Sequence, residues 1–199
     1  MKTSITTVLK SSLLATVLMA SMFISNVSAE TIIIGCRGGS AETDIKKVVA
    51  TGNVKVTLIQ NGREWVQMDE LDSSKVSLKQ VGNTLTISSS ESTPVLVTVY
   101  VKDIYRIAAS GKASVKTAGK FNVKYLQVML KDDAEARVKA STESIYTAID
   151  GKAKLELLGT SGKHIIKTSG FAKMDTDKFA AIKTIHENAL VGATASLTR

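Results

Sequence analysis

The chain has 199 residues, with 26 basic and 18 acidic side chains for a net charge of +8 and 44% hydrophobic residues. Its lone cysteine, Cys36, excludes an intrachain disulfide, so stability must come from packing. Beyond Ala29 no run is long and apolar enough to span a bilayer, which excludes an integral membrane segment from the mature chain.

Residues 1–29 read as an export signal. Lys2 and Lys10 supply a positive start, residues 11–24 are apolar with small residues, and Val27-Ser28-Ala29 gives a small-x-small cleavage pattern, placing the cut before Glu30. The expected location is the periplasm or the cell surface of a Gram-negative bacterium. Losing Lys2 and Lys10 leaves 24 basic against 18 acidic residues. In the cytosol that surplus would raise nucleic acid as a partner. For an exported chain it points instead to lipopolysaccharide, peptidoglycan-associated acids or polysaccharide. The charges are interspersed, so a solvated surface is the simpler reading.

Ile33-Ile34-Gly35-Cys36 loosely resembles a lipobox, which would make Cys36 a lipidated N-terminus. Against it, Asn26, Glu30 and Thr31 separate Cys36 from the apolar segment that a lipobox normally closes. A free thiol or an occasional interchain disulfide is the favoured reading, with lipidation the alternative.

The next stretch reads as strands. Val54-Lys55-Val56-Thr57-Leu58 alternates, Asn61-Gly62 offers a hairpin turn, and Trp65-Val66-Gln67-Met68 returns. Residues 76–78, 85–87 and 95–101 follow, punctuated by Gly82-Asn83 and Pro94. The interval from Val54 to Ala113 is close to three of the periods described next.

From residue 110 a turn phrase recurs: Ser110-Gly111-Lys112-Ala113, Asp132-Asp133-Ala134, Asp150-Gly151-Lys152-Ala153, Ser169-Gly170-Phe171-Ala172, and a weaker Glu187-Asn188-Ala189. A fixed period of this kind, with a turn in each unit, is the signature of a stacked repeat. Counting back by twos from the alanines reaches Tyr105, Ile107 and Ala109, then Leu126, Val128 and Leu130, then Ile145, Thr147 and Ile149. Counting forward reaches Val115, then Ala136 and Val138, then Leu155 and Leu157. Each unit is therefore a strand, a tight turn and a second strand with alternate residues inward. Gly52, Gly111, Asp133, Gly151 and Gly170 are the expected turn residues, because glycine and aspartate tolerate positive φ. The predicted fold is all-β: a single-domain β-solenoid with two short strands per repeat and a looser N-terminal half. The register fails near His164 and in the last unit, where Ile182 and Ile185 cannot both follow it.

The chain resembles the putative auto-transporter adhesin family known as the head GIN domain. Residues 49–58, Gly82-Asn83-Thr84-Leu85-Thr86-Ile87, residues 95–101 leading into Ser110-Gly111, and the later Ser/Asp-Gly turns carry the resemblance. It implies an exported right-handed β-helix, with adhesion proposed from shape and no catalytic residues. The expected organisation is a signal peptide at 1–29, an extension at 30–45 and a head GIN-like domain at 46–199.

No catalytic residue, metal site or cofactor is expected. Outward positions stacked in register pair Glu135 with Lys154 and Arg137 with Glu156, a solvated ion-pair ladder in which no two carboxylates meet. Asp69-Glu70-Leu71-Asp72 and Asp132-Asp133-Ala134-Glu135 match no calcium loop and read as turns. His164 and His186 lie about one repeat apart and could approach on adjacent rungs, but lack the partners of a zinc site. Trp65 reads as a packed strand residue before a sugar platform.

One face stands out. On the strand before each turn the outward positions include Gln127 and Met129, Tyr146 and Ala148, then Ile165 with Ile182 beyond. An apolar stripe of this kind marks an interface, or is covered by the N-terminal strands. Met129, Tyr146, Ala148 and Ile165 are thus the candidate interface for self-association or ligand contact. The leading functional expectation is a non-enzymatic cell-envelope binding module that takes a glycan or protein ligand, adhesion-related. The runner-up is a periplasmic structural protein acting by homotypic or protein contacts, and a polysaccharide-active enzyme ranks third.

Overall fold

The computed structural model describes residues 31–34 and 44–187. The export signal, Cys36 and the last turn phrase beyond Glu187 lie outside those residues. The strands are β1 (Thr31–Ile34), β2 (Lys47–Gly52), β3 (Val54–Gln60), β4 (Trp65–Asp69), β5 (Ser77–Val81), β6 (Thr84–Ser89) and β7 (Val95–Val101). They continue as β8 (Arg106–Ser110), β9 (Ser114–Ala118), β10 (Phe121–Asn122), β11 (Tyr125–Leu130), β12 (Glu135–Ile149), β13 (Lys154–Thr168) and β14 (Lys173–His186). A 3-10 turn at Glu70–Lys75 is the one helical element among the described residues.

All fourteen strands belong to one sheet that curls back on itself. The strand before each turn stacks in a first track, β6-β2-β8-β11, followed by the second halves of β12, β13 and β14. The strand after each turn stacks in a second track, β7-β3-β9, followed by the first halves of β12, β13 and β14. Every pairing within the two tracks is parallel, and the inward side chains of both meet in one core. Ile107, Leu126, Val128, Leu130, Ile145 and Ile149 from the first track are buried against Ala113, Val115, Ala134, Val138, Ala153, Leu155 and Leu157 from the second. Each large aliphatic side chain so buried contributes about 1.5–3 kcal/mol. Ala113, Ala134 and Ala153, after the turns, are buried where the tracks converge, as the period implies, while Ala172 on the last rung is half-buried.

The expectation of two short strands in every repeat fails from β12 onward. The second strand of one unit runs unbroken into the first strand of the next, giving strands of 15, 15 and 14 residues. No proline or turn phrase interrupts residues 138–145, and the corner is built from small polar side chains that bond between rungs. Ser141 and Thr160 share a hydroxyl contact at 3.2 Å, and Thr142 donates to Ser161 at 2.8 Å.

The N-terminal half departs further. Val54 and Ala113 sit beside each other, one rung apart, since Lys55 pairs with Ser114 and Thr51 with Ser110. The stretch of chain between them is not three stacked periods. The chain leaves the β2–β3 rung, forms β4 and β5, lays the β6–β7 rung on one side, then crosses to place β8–β9 on the other. Antiparallel β5 covers β6, antiparallel β4 covers β7, and β1 adds to β4, so both tracks are covered at that end by short antiparallel strands.

The turns stack as a column of left-handed residues: Gly52, Gly111, Asp132, Gly151 and Gly170, with φ between 61° and 80°. The position that replaces glycine is therefore Asp132, not Asp133. Its carboxylate explains the tolerance, because Asp132 Oδ2 accepts from the Gly111 N–H at 3.0 Å in the turn below. Here the glycines do more than permit positive φ. A Cβ on Gly151 would lie 2.9 Å from the Asp132 carbonyl oxygen, so that turn nests too closely on the one below for a side chain.

Candidate functional site

The outward face of the first track carries the candidate stripe. Successive strands align Lys47, Arg106, Gln127, Tyr146, Ile165 and Ile185 in one column. A parallel column runs Val49, Ala108, Met129, Ala148 and Lys167. The first column changes from charged to apolar along the stack, with Arg106 Nε donating to Gln127 Oε1 at 2.9 Å where the change occurs. Met129, Tyr146, Ala148 and Ile165 thus share one face, all half-buried. The residue that follows Ile165 is Ile185; Ile182 is 93% exposed at the corner, away from this stripe.

An open groove of about 360 Å³ lies on this face, lined by Met129, Tyr146, Ala148, Lys131, Asp150 and Lys167, with Ser169 at its rim. Asp150 accepts from the Ser169 hydroxyl at 2.7 Å and from the Gly151 N–H at 2.8 Å. Those bonds, with Lys131 nearby, hold its carboxyl below the ordinary carboxylate range. Desolvation, reinforced by Glu187, pushes the Tyr146 phenol up; its hydroxyl reaches Glu187 Oε2 at 3.4 Å. The rim residues Lys131, Asp150 and Lys167 were not among the sequence-derived candidates. Carrying the outward alternation two residues past Met129 and Ala148, up to the turn, would have reached the first two.

The opposite face carries the expected ladder. Lys154 Nζ meets Glu135 Oε1 at 2.7 Å and Arg137 meets Glu156 at 3.0 Å, both solvent-exposed pairs. The expectation that no two carboxylates meet fails one rung on, where the register sets Glu156 beside Asp175. Arg137 holds Glu156, and Asp175 Oδ1 accepts from the Asp177 N–H at 3.0 Å, so both carboxylates are already engaged.

His164 and His186 do not face each other in register: His164 pairs with Thr184, and His186 with Ile166. His164 is buried, 2.9 Å from Thr147 Oγ1 and edge-on to Phe179, and burial lowers its pKa to about 4. Trp65 stacks on Tyr100 across β4 and β7, centroids 3.8 Å apart. Asp69 caps the 3-10 turn by accepting from the Leu71 N–H, and Asp72 pairs with Lys75 at 2.8 Å, which are turn roles. Among the described residues no group of three or more His, Cys, Asp or Glu side chains is placed to hold a metal ion, and no helix is long and apolar enough to cross a membrane.

A family model described as "Putative auto-transporter adhesin, head GIN domain" matches residues 44–196. No curated protein matches. Among solved structures, a putative adhesin from Bacteroides fragilis is similar at TM-score 0.64 and 14% identity, over 80% of this chain and 76% of that one. A putative lipid binding protein from Parabacteroides distasonis is similar at 0.57 and 12%, over 79% and 77%. A putative adhesin from Parabacteroides merdae is similar at 0.54 and 14%, over 79% and 76%. At these identities the likeness is one of fold.

Proposed function

The chain belongs to the putative auto-transporter adhesin, head GIN domain family, and on that premise we propose an exported, non-enzymatic binding module of the bacterial cell envelope. In this reading residues 1–29 are removed on export, and the domain that follows winds as a right-handed β-helix. Its ligand seat is the groove over Met129, Tyr146 and Ala148, with Ile165 extending the apolar floor.

The observation that carries the reading is the pairing of that floor with a charged rim, Lys131 and Lys167 beside Asp150, with Glu187 at the Tyr146 hydroxyl. A flat apolar surface with an aromatic ring takes the hydrophobic face of a sugar. Two ammonium groups beside it take a carboxylate or phosphate. An acidic envelope glycan has both features, and the net positive charge of the chain favours its approach. The names of the similar structures, two putative adhesins and one putative lipid binding protein, agree with an envelope ligand.

Isothermal titration of the mature protein with polygalacturonate, against neutral dextran, tests this. The acidic polymer is expected to bind and dextran not to, with binding lost in the Tyr146→Lys, Ile165→Lys double variant while circular dichroism is unchanged. Equal binding by that variant and the wild type would remove the groove as the seat. New reducing ends during the incubation would replace the binding module with a polysaccharide-cleaving enzyme, a lyase if unsaturated ends appear with them and a hydrolase if not.

A further inference from the structure

The two ends of the curled sheet differ. The end beyond β6 and β7 is covered by antiparallel strands, β5 on β6 and β4 with β1 on β7, so its edges are only five and four residues long. At the other end, among the described residues, β14 pairs with β13 alone, so one side of a 14-residue strand is an open edge. The core is open there too. Leu155, Ser161, His164 and Ile166 are buried in β13, yet the residues that continue their columns, Met174, Ala181, Thr184 and His186, are half-buried or exposed. Phe179 lies half-buried over Gly159. A long edge strand beside uncovered apolar side chains is a template for pairing with another strand.

We propose that two copies of this chain join tail to tail through this edge, β14 against β14, antiparallel about a two-fold axis through Ala180. This goes beyond the ligand reading and does not depend on it. Ala180 lies at the corner, where β14 passes from one track to the other. A two-fold axis through that corner reverses the strand and sets its first arm over the second arm of the other copy. In this register β14 and the following Glu187 make two kinds of opposite-charge pair, while Asp175 faces Ile185 and Lys178 faces Ile182. Lys173 faces Glu187 of the second copy and Asp177 faces its Lys183, and symmetry makes each pair occur twice. Met174 meets His186, Thr176 meets Thr184 and Phe179 meets Ala181, so inward side chains meet inward side chains and the small corner residues sit on the axis.

Neighbouring arrangements lose this match. A shift of one residue in one direction sets Lys178 against Lys183; in the other direction it sets Lys173 against His186 and Asp177 against Ile182. A head-to-tail stack would instead set the open edge of β14 against the short antiparallel strands β1 and β5 at the opposite end of the next copy. The closed dimer joins two like edges of equal length, whereas an extending stack would join a 14-residue edge to strands of four and five residues.

Sedimentation velocity on the mature protein across a concentration series is the test. A dimer is expected for the wild type. Asp177→Lys places lysine opposite Lys183 at two symmetric positions and should weaken the dimer at least about tenfold. Asp177→Lys with Lys183→Asp restores the pairing and should regain the wild-type affinity, which a folding defect would not allow. Three results overturn the proposal. One is a monomer throughout, with the edge covered by residues 188–199 or left for another protein. The others are a dimer indifferent to Asp177→Lys, and a double variant as weak as the single one. Binding of short acidic oligosaccharides by the same variants reads the groove separately.

Discussion

Acidification perturbs one buried group before any other, and its effect is readable from the structure. His164 is 2% exposed, bonded to Thr147 Oγ1, and its pKa is about 4 against 6.5 for the free side chain. Burial is the first cause and the neighbouring His186 the second. Because the folded value is depressed, the unfolded chain binds the proton more readily. Stability is therefore complete above about pH 6.5 and falls as pH drops toward 4. The full shift corresponds to about 3 kcal/mol; the open last rung keeps water close, and a discounted figure is about 2 kcal/mol. Asp44 and Asp150, whose pKa values are depressed, lose their contributions only below the ordinary carboxylate value of 3.8, so the windows separate. Urea denaturation followed by Trp65 fluorescence between about pH 7 and pH 4.5 measures the loss directly. His164→Gln keeps a hydrogen-bond partner for Thr147 but cannot titrate, so its stability should change little across this range. If that variant lost as much stability on acidification as the wild type, the assignment to His164 would fail.

The turn column supplies two further expectations. Gly151→Val puts a β-branched residue at φ 74° with its Cβ 2.9 Å from the Asp132 carbonyl oxygen, and should destabilise by about 2–4 kcal/mol in urea denaturation. Asp132→Ala loses the bond to Gly111 and leaves alanine at φ 61°, costing about 1–3 kcal/mol, whereas Asp133→Ala should stay within about 0.5 kcal/mol. Equal effects at positions 132 and 133 would undo the register assigned to that turn.

The repeat was legible where each rung brings its own turn. Ala113, Ala134 and Ala153 mark the convergence of the tracks because only a small side chain fits there, and the inward sets Leu126–Val128–Leu130 and Ile145–Thr147–Ile149 follow by alternation. A residue count could not show that β6–β7 and β8–β9 lie on opposite sides of β2–β3. Distance along the chain is blind to which edge the chain returns to. The slip from Asp132 to Asp133 has a similar origin: two adjacent aspartates each satisfy turn chemistry, and only the bond to Gly111 distinguishes them. The stripe was legible as far as Ile165. Its continuation to Ile185 was not, because a β-bulge between Glu156 and Leu158 shifts the register of β14.

The proposed dimer and the proposed ligand seat constrain each other. The two-fold axis through the corner lays the first-track arm of one copy against the second-track arm of the other. The groove-bearing face of each copy then continues into the ion-pair face of its neighbour, and the two grooves point to opposite sides of the assembly. Such a dimer cannot close both seats on one short ligand. It can bridge two glycan chains, or two points of a long one, and gain avidity without any new contact. The expected signature is a polymer-length dependence: short acidic oligosaccharides should bind the wild type and Asp177→Lys alike, while long polymers should favour the dimer. Equal preference for long polymers in both proteins would mean that the seats act singly, whatever the oligomeric state.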